Sequence, residues 1–403
     1  MNILFFNDVP FNPSYGGIER VTDTITKGLL LLGKGYNVYY LFYKVYDRSL
    51  LEYNFPAQIL EMPYEHGFYN PKNLDYYFRI INEYDIDIVV NQRGGYNWAN
   101  NAMLLTNTSK VISVVHSKVD FVICQSIMMH KVNNKGGIIR KIKWAIKNIC
   151  PFLLEKYVKF KLLNDLQNHY NELLHISDAV VLLSKKDVES LKSYVDISSK
   201  ALVCSIPNPN TFTLSDANYS IKKNVILYVG RLDSIEKAPI RMLQIWRKLY
   251  RRHEEWELVI VGNGDDHDNM VSYVKKYNLP RVSFEGCRKN VEDYYKSASI
   301  VCLTSNYEGW GMSLTEGMTY GCVPVTFNNY GAAYDIIDDG INGCIIKAYD
   351  LTEYALRLSE LMSDKNKLIE MGKHAHEKVN NFSIENVVGQ WHTLFNKLVN
   401  IQI

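Results

Sequence analysis

The chain lacks several features that would assign it quickly. Its seven cysteines form no Cys-x-x-Cys pair, and their number is odd. Most lie in apolar runs such as Ile300-Val301-Cys302-Leu303, the setting of reduced core thiols, and no ligand spacing for zinc appears. No run of about eighteen apolar residues occurs, so no membrane-spanning helix is expected. Net charge is scarce too: 45 Lys and Arg stand against 43 Asp and Glu, for +2 overall. No global field therefore favours nucleic acid, and the chain carries no known nucleic-acid motif. The first apolar stretch, Met1 to Asp8, has no charged segment before it and is too short for a secretion signal. It reads as a buried first strand. No low-complexity tract or short repeat interrupts the chain.

What is present is a long, apolar chain. Its 403 residues, 47% of them hydrophobic and 22% charged, exceed one ordinary core and suggest two domains of about 200 residues each. Short apolar runs alternate with longer amphipathic ones, the rhythm of a parallel sheet wrapped by helices. Strands are expected at 2–8, 36–43, 86–91, 110–116 and 179–184, then at 224–230, 257–262, 281–285, 299–303 and 322–326. Helices are expected at 17–33, 70–84, 98–107, 137–149, 155–176 and 185–193, then at 239–252, 267–277, 290–297, 312–320, 350–363 and 384–400. Ile206-Pro207-Asn208-Pro209-Asn210 favours a stiff extended connection, because its prolines remove backbone donors. The expectation is an α/β chain with two tandem doubly wound Rossmann-like domains and a cleft between them. The first domain would run over 1–205, a hinge over 206–222 and the second domain over 223–382.

Ligands of open parallel sheets bind beyond the carboxyl ends of the strands. Three segments meet that rule. Glu308-Gly309-Trp310-Gly311-Met312-Ser313-Leu314-Thr315-Glu316 follows a strand and opens a helix that Gly321 should stop. Its glycines let a ligand approach the backbone, and amides 311–313 would meet an anion at the positive end of the helix. Glu316, one turn in, suits the two hydroxyls of a ribose, and Glu308 the hydroxyls of a sugar. Tyr228-Val229-Gly230-Arg231 with Lys237 supplies a guanidinium fork and a point charge for phosphate. Ser14-Tyr15-Gly16-Gly17 opens the first helix and could cradle an anion. It is not the Gly-x-Gly-x-x-Gly dinucleotide fingerprint, which argues against a nicotinamide enzyme. His116 closes the strand of residues 110–116. Asp85-Ile86-Asp87 lies at the amino end of a strand, the wrong side for a metal-nucleotide site, and Asp265, Asp266 and Asp268 read as helix-capping residues. No metal is expected.

With these residues quoted, the chain resembles glycosyltransferase family 4, retaining enzymes of the GT-B fold, and among them bacterial polysaccharide enzymes. The likeness is densest over 224–345. Glu308-x7-Glu316 is similar to the family's paired-glutamate motif, Arg231 and Lys237 to its phosphate-binding pair, Gly16-Gly17 to its glycine loop and His116 to its strand-end histidine. The terminal segment 383–403 resembles the last helix, which crosses back onto the first domain. Five residues separate Arg231 from Lys237, where four is commoner, and Ala238 stands where glycine often follows. The resemblance implies transfer of a sugar from a nucleoside-diphosphate donor, UDP being the usual one, to a saccharide or lipid-linked saccharide hydroxyl. Arg231, Lys237 and the amides of Gly311, Met312 and Ser313 would carry the departing diphosphate, Glu316 the ribose, and Glu308 and His116 the sugar. No cofactor, metal or general base is implied, and a cytoplasmic location is. The rival readings are a sugar-nucleotide epimerase or hydrolase of the same architecture and a non-catalytic donor-binding subunit. Residues 131–163 hold nine Lys or Arg against Glu155 alone, with isoleucines at helical spacing from Ile138 to Ile149. That pattern suits an anionic membrane surface.

Overall fold

The structure is a computed structural model describing residues 1–65, 70–95, 108–132, 151–198, 201–214 and 217–400. The chain divides into two compact units. The first comprises Met1–Val119, Asn164–Thr211 and Asn381–Ile403, the second Asp120–Leu163 and Phe212–Asn380.

The first unit contains β1 (Asn2–Phe6), α1 (Gly17–Leu31), β2 (Asn37–Phe42), β3 (Gln58–Glu61), α2 (Pro71–Glu83), β4 (Ile88–Asn91) and β5 (Lys110–Val115). After α3 (Phe121–Val132) and the start of α4 (Pro151–Ile176), it continues with β6 (Ala179–Leu182), α5 (Lys185–Tyr194) and β7 (Leu202–Ser205). Its seven strands are all parallel, in the order β3-β2-β1-β4-β5-β6-β7. Central strands are buried on both faces: Ile88, Val89 and Val90 are fully covered. This is why they read as continuous apolar runs rather than as alternating ones.

The second unit contains β8 (Val225–Val229), α6 (Ile240–Leu249), β9 (Glu257–Val261), α7 (His267–Tyr277), β10 (Val282–Gly286), α8 (Glu292–Ser297) and β11 (Ile300–Leu303). Then follow α9 (Met312–Thr319), β12 (Val323–Phe327), α10 (Ala333–Ile336), β13 (Cys344–Ile346), α11 (Leu351–Ser363) and α12 (Lys365–Val379). Its six strands are parallel in the order β10-β9-β8-β11-β12-β13. Its core gathers Trp246, Trp256, Leu258, Ile300, Phe327, Tyr354 and Leu358, all essentially without solvent exposure.

α13 (Ile384–Val399) belongs to the first unit and lies on α1. A Cβ at Gly28 of α1 would come within 2.5 Å of Val388 Cγ2 and 2.9 Å of Ile384 Cγ2, so glycine permits the close crossing. Tyr36 reinforces it, with its hydroxyl 2.6 Å from His392 Nδ1 and its ring edge-on to Phe395.

The expected division at 1–205, 206–222 and 223–382 differs from these units in several places: the main segment of the second unit runs from Phe212 to Asn380, with no separate hinge, and two further segments change unit. Residues 120–163 group with the second unit, where the Phe121 ring lies 6.5 Å from that of Tyr307. Residues 206–211 are part of the first unit rather than of a separate hinge. Asn208 and Asn210 are buried there, and the Asn210 amide donates to the Phe382 carbonyl at 2.7 Å. Periodicity marks where helices fall, but packing decides which core each one joins. The helices expected at 98–107 and 137–149 lie outside the described residues.

Candidate functional site

In each sheet the strand order reverses once, between β1 and β4 in the first and between β8 and β11 in the second. Such a reversal splays the following turns apart and opens a crevice at the strand ends. In the second unit the turns after β8 and β11 carry Arg231, Lys237 and Glu308.

The turn after β8 is tightly wound. The amide of Glu236 donates to Asp233 Oδ1 at 2.7 Å, and the amide of Ala238 to the Asp233 carbonyl at 2.7 Å. Ala238 takes φ +43°, a left-handed conformation that costs a residue with a Cβ about 1–2 kcal/mol. Glycine would take this conformation without that cost. The neighbouring turn after β9 presses against it: a Cβ on Gly262, at φ +140°, would stand 1.9 Å from the Gly230 carbonyl oxygen, and one on Gly264 2.5 Å from that of Leu232. Only glycine fits at either position.

The turn after β11 is pinned to the first. Asn306 donates from Nδ2 to the carbonyls of Ser234 (3.1 Å) and Ile235 (2.8 Å), and from its amide to the Glu236 carbonyl (2.7 Å). Arg241, on the first turn of α6, donates to the Thr304 carbonyl (2.8 Å) and Asn306 Oδ1 (2.6 Å), with its guanidinium 4.8 Å from the Tyr349 ring centre. Asn329 donates to the carbonyls of Ser305 and Asn306. The two turns therefore form one hydrogen-bonded body, in which Asp233 Oδ2 and Asn329 Oδ1 are buried without a partner. Sequence reasoning missed Asn306, Arg241, Asn329 and Glu236, since a polar loop residue shows its partner only in three dimensions.

The charges meet on this body. Lys237 Nζ lies 2.7 Å from Glu308 Oε1 and 2.9 Å from Glu236 Oε1, and Arg231 lies 2.5 Å from Glu236 Oε2. Ser305 donates its hydroxyl to Glu308 Oε1 at 2.6 Å. Burial alone would lower the Lys237 pKa, but Glu308 and Glu236 together hold it above the ordinary lysine value. Burial likewise pushes Glu236 up, while Lys237 and Arg231 outweigh it and hold its carboxyl below the usual range. The two ion pairs differ in strength. The side chains of Lys237 and Glu308 are 17% and 7% exposed, and breaking such a pair by removing one partner costs about 3–5 kcal/mol. Arg231 is 66% exposed, and pairs of that kind contribute about 0–1 kcal/mol.

Helix α9 opens just beyond Glu308. Gly311, its N-cap, takes φ +95°, and a Cβ there would press on Tyr330 Oη at 3.1 Å. The first turn carries no acidic residue, so the helix's positive end is met by no carboxylate of its own. Gly321, at φ +74°, follows the C-cap Tyr320 and ends the helix as the sequence suggests. Glu316 is buried at 3% exposure and accepts the Tyr295 hydroxyl at 2.8 Å. Tyr295 itself stands in an aromatic frame with Phe212 and Tyr320.

The corresponding turns of the first unit are arranged differently. Gly16 is the N-cap of α1 in extended conformation, and a Cβ there would lie 2.5 Å from Glu19 Oε2. Thus the anion beside Gly16 is the chain's own Glu19 carboxylate, which also accepts from Asn7 Nδ2 at 2.8 Å, while nothing lies within 4 Å of a Cβ placed on Gly17. Burial raises its pKa above the usual carboxylate value. Asp8, after β1, pairs with Arg93, after β4. His116 follows β5 with Nε2 against Gln92 Oε1, and burial pushes its pKa down to about 4, so the ring is neutral at pH 7.

Asp87 accepts the Asn2 amide through Oδ2 at 2.7 Å, at the amino ends of the strands. Asp266 is the N-cap of α7 but makes no side-chain capping bond, so its expected role there is not fulfilled. Among the described residues, no group of three His, Cys, Asp or Glu side chains could hold a metal ion. Most of the basic stretch 131–163 lies outside the described residues. In the described part of α4, Tyr157 and Phe160 are 60% and 83% exposed, beside exposed Lys156, Lys159 and Lys161.

Comparison with known proteins agrees with this layout. Residues 214–378, nearly the whole main segment of the second unit, match the family model Glycosyl transferases group 1. The amylovoran biosynthesis glycosyltransferase AmsD of Erwinia amylovora is 25% identical over 225 residues, 55% of this chain and 63% of that protein. The GalNAc-alpha-(1->4)-GalNAc-alpha-(1->3)-diNAcBac-PP-undecaprenol alpha-1,4-N-acetyl-D-galactosaminyltransferase of Campylobacter jejuni is 28% identical over 180 residues, 44% of this chain and 50% of that protein. The matches thus span about half to under two-thirds of these relatives. The crystal structure of Anabaena Alr3699/HepE in complex with UDP superposes with a TM-score of 0.71 at 14% identity, covering 98% of this chain and 100% of that one. The chain therefore has the tandem α/β architecture seen in GT-B glycosyltransferases, and the main segment of its second unit is similar to group 1 glycosyl transferases.

Proposed function

We propose that this protein is a retaining, metal-independent glycosyltransferase of family 4. It moves a hexosyl group from a UDP-sugar to a hydroxyl of a saccharide or lipid-linked saccharide in surface polysaccharide biosynthesis. The observation that carries the proposal is the Lys237–Glu308 pair, held at the strand-order reversal of the second sheet and directly ahead of a helix start without an acid of its own.

The chemistry follows from what each group can do. As the sugar–phosphate bond breaks, negative charge grows on the diphosphate and positive charge on the anomeric carbon. Arg231, Lys237 and the amides of Gly311, Met312 and Ser313 take up the diphosphate charge without a cation, and one such fixed donor is worth about 3–4 kcal/mol. Glu308, its direction set by Lys237 and Ser305, accepts from the hydroxyls of the transferred sugar. Glu316, oriented by Tyr295, accepts from the ribose hydroxyls. The acceptor's proton passes to a donor phosphate oxygen as the new bond forms on the face the diphosphate leaves, so the anomeric configuration is kept and no general base is assigned. The UDP bound to the Anabaena protein supports the choice of nucleotide, and the undecaprenol-linked substrate in the Campylobacter protein's name supports a lipid-linked acceptor. The exposed Tyr157 and Phe160 among lysines support peripheral attachment to an anionic, cytoplasmic membrane face. Among the described residues no helix is long and apolar enough to cross a membrane.

Incubating the full chain with UDP-, GDP- and ADP-sugars and a panel of saccharide acceptors tests the proposal. The expected result is acceptor-dependent product with unchanged anomeric configuration by NMR and undiminished rate in EDTA. Sugar release that is independent of acceptor, or an epimerised donor, would point to a hydrolase or epimerase instead. Donor binding without any turnover would mark a non-catalytic subunit.

A further inference from the structure

The cations assigned to the diphosphate are already neutralised. Five charged groups share the two pinned turns: Arg231 and Lys237, against Asp233, Glu236 and Glu308. Glu236 alone touches both cations, through one carboxylate oxygen each, at 2.5 Å to Arg231 and 2.9 Å to Lys237. That is the bridging geometry a phosphate would adopt between the same two groups. The backbone of Glu236 leaves little freedom for this to be accidental. Its amide is bonded to Asp233 Oδ1 and its carbonyl accepts from the Asn306 amide. The turn between Arg231 and Lys237 thus aims the carboxylate that precedes the lysine between the two cations. Lys237 retains Glu308 as a buried partner, whereas Arg231, mostly exposed, is bound by Glu236 through a pair that an incoming anion can replace at small cost.

We infer that Glu236 is an internal surrogate for the donor's diphosphate: it occupies Arg231 and Lys237 in the empty site, yields them when the donor binds, and reclaims them as the nucleoside diphosphate leaves. The inference rests on the donor-site reading above and adds a positioning residue that trades binding strength for product release. A carboxylate that competes with the ligand for its cations must weaken the ligand's binding. It must also lower the barrier to losing a product diphosphate, whose cations would otherwise be stranded unpaired.

Titrating UDP into the full-length wild type, Glu236→Gln and Glu236→Ala by calorimetry tests this. Both variants should bind UDP about three- to tenfold more tightly than the wild type, with a steeper loss of affinity on raising salt, because uncompensated charge is screened. In steady state, Glu236→Gln should show a lowered KM for the donor, a lowered kcat and stronger inhibition by added UDP. A residue that merely held the turn together would instead raise KM and lower the melting temperature. Unchanged or weaker UDP binding in both folded variants overturns the inference while leaving the donor site standing. Failure of the wild type itself to bind UDP or inorganic pyrophosphate removes the donor-site reading, and this inference with it.

Discussion

The two sheets of this chain share one topology, and each reverses its strand order once, yet their strand ends hold opposite electrostatic solutions. In the first unit the helix after β1 opens at Gly16-Gly17 and places Glu19 in its first turn, so its positive end is met from within. Asp8 closes on Arg93 there, and His116 is kept neutral. In the second unit the helix after β11 opens at Gly311 with no acid in its first turn, and two cations stand on the adjoining turn. The lesson is that the Rossmann-like turn does not by itself make an anion site. The two helix starts differ in whether the first turn carries an acid and in how the nearby cations are paired.

The largest effect that would sharpen this contrast is on turnover. Lys237→Ala should lower kcat by about 10²–10³-fold and destabilise the second unit by leaving Glu308 buried without its cation. Arg93→Ala, which breaks the Asp8–Arg93 ion pair of the first unit, should leave UDP affinity unaltered. Equal losses of UDP affinity in the two variants would erase the distinction drawn here.

Next in size is backbone fit. Gly262→Ala should cost ~3 kcal/mol or more, because its Cβ would strike the Gly230 carbonyl at a φ that alanine avoids. Gly28→Ala in the first unit meets only the side-chain methyls of Val388 and Ile384 and should cost about 1–3 kcal/mol. Urea unfolding of both variants ranks them.

A smaller effect is expected at Glu316, the residue proposed to meet the ribose. Glu316→Gln should weaken UDP binding about tenfold, the worth of a charge-assisted hydrogen bond. Tyr295→Phe should weaken it less, since it frees Glu316 without discharging it. Calorimetry with UDP measures both.

The gentlest test concerns pH. His116 titrates at about 4 in the folded chain against an ordinary 6.5. The unfolded chain therefore takes up this proton first, so the stability His116 contributes is complete above pH 6.5 and is lost as pH falls toward 4. His116→Gln should flatten the stability profile across that window, and an unchanged slope would mean the imidazole is not held neutral by burial.

Much of this was legible because doubly buried strands advertise themselves. Ile300 to Leu303 and Ile88 to Val90 cannot be anything but apolar when both faces are covered. The turn from Glu308 to Glu316 was equally plain, since glycine before a helix start has few other uses. Neither edge strand of the first sheet was legible, although β10 at an edge of the second was. β3 and β7 expose or half-expose most of their residues, so neither run nor alternation marks them. Helix α12 was missed because Lys365-Asn366-Lys367 and Gly372 disguise its apolar stripe. That glycine is needed where a Cβ would approach the Gly321 carbonyl to 2.5 Å.

By itself, the order of residues determined the βαβ rhythm, the strand-end positions of Arg231, Glu308 and His116, the place of Glu316 one turn into α9, and the glycine that opens that helix, because periodicity and backbone freedom are local properties. Only the tertiary structure decided that Glu236 bridges two cations, that Asn306 and Arg241 weld two turns together, and that Glu19 satisfies the first helix. Those are Coulombic and hydrogen-bonding relations that vary with distance through space, and separation along the chain does not encode them.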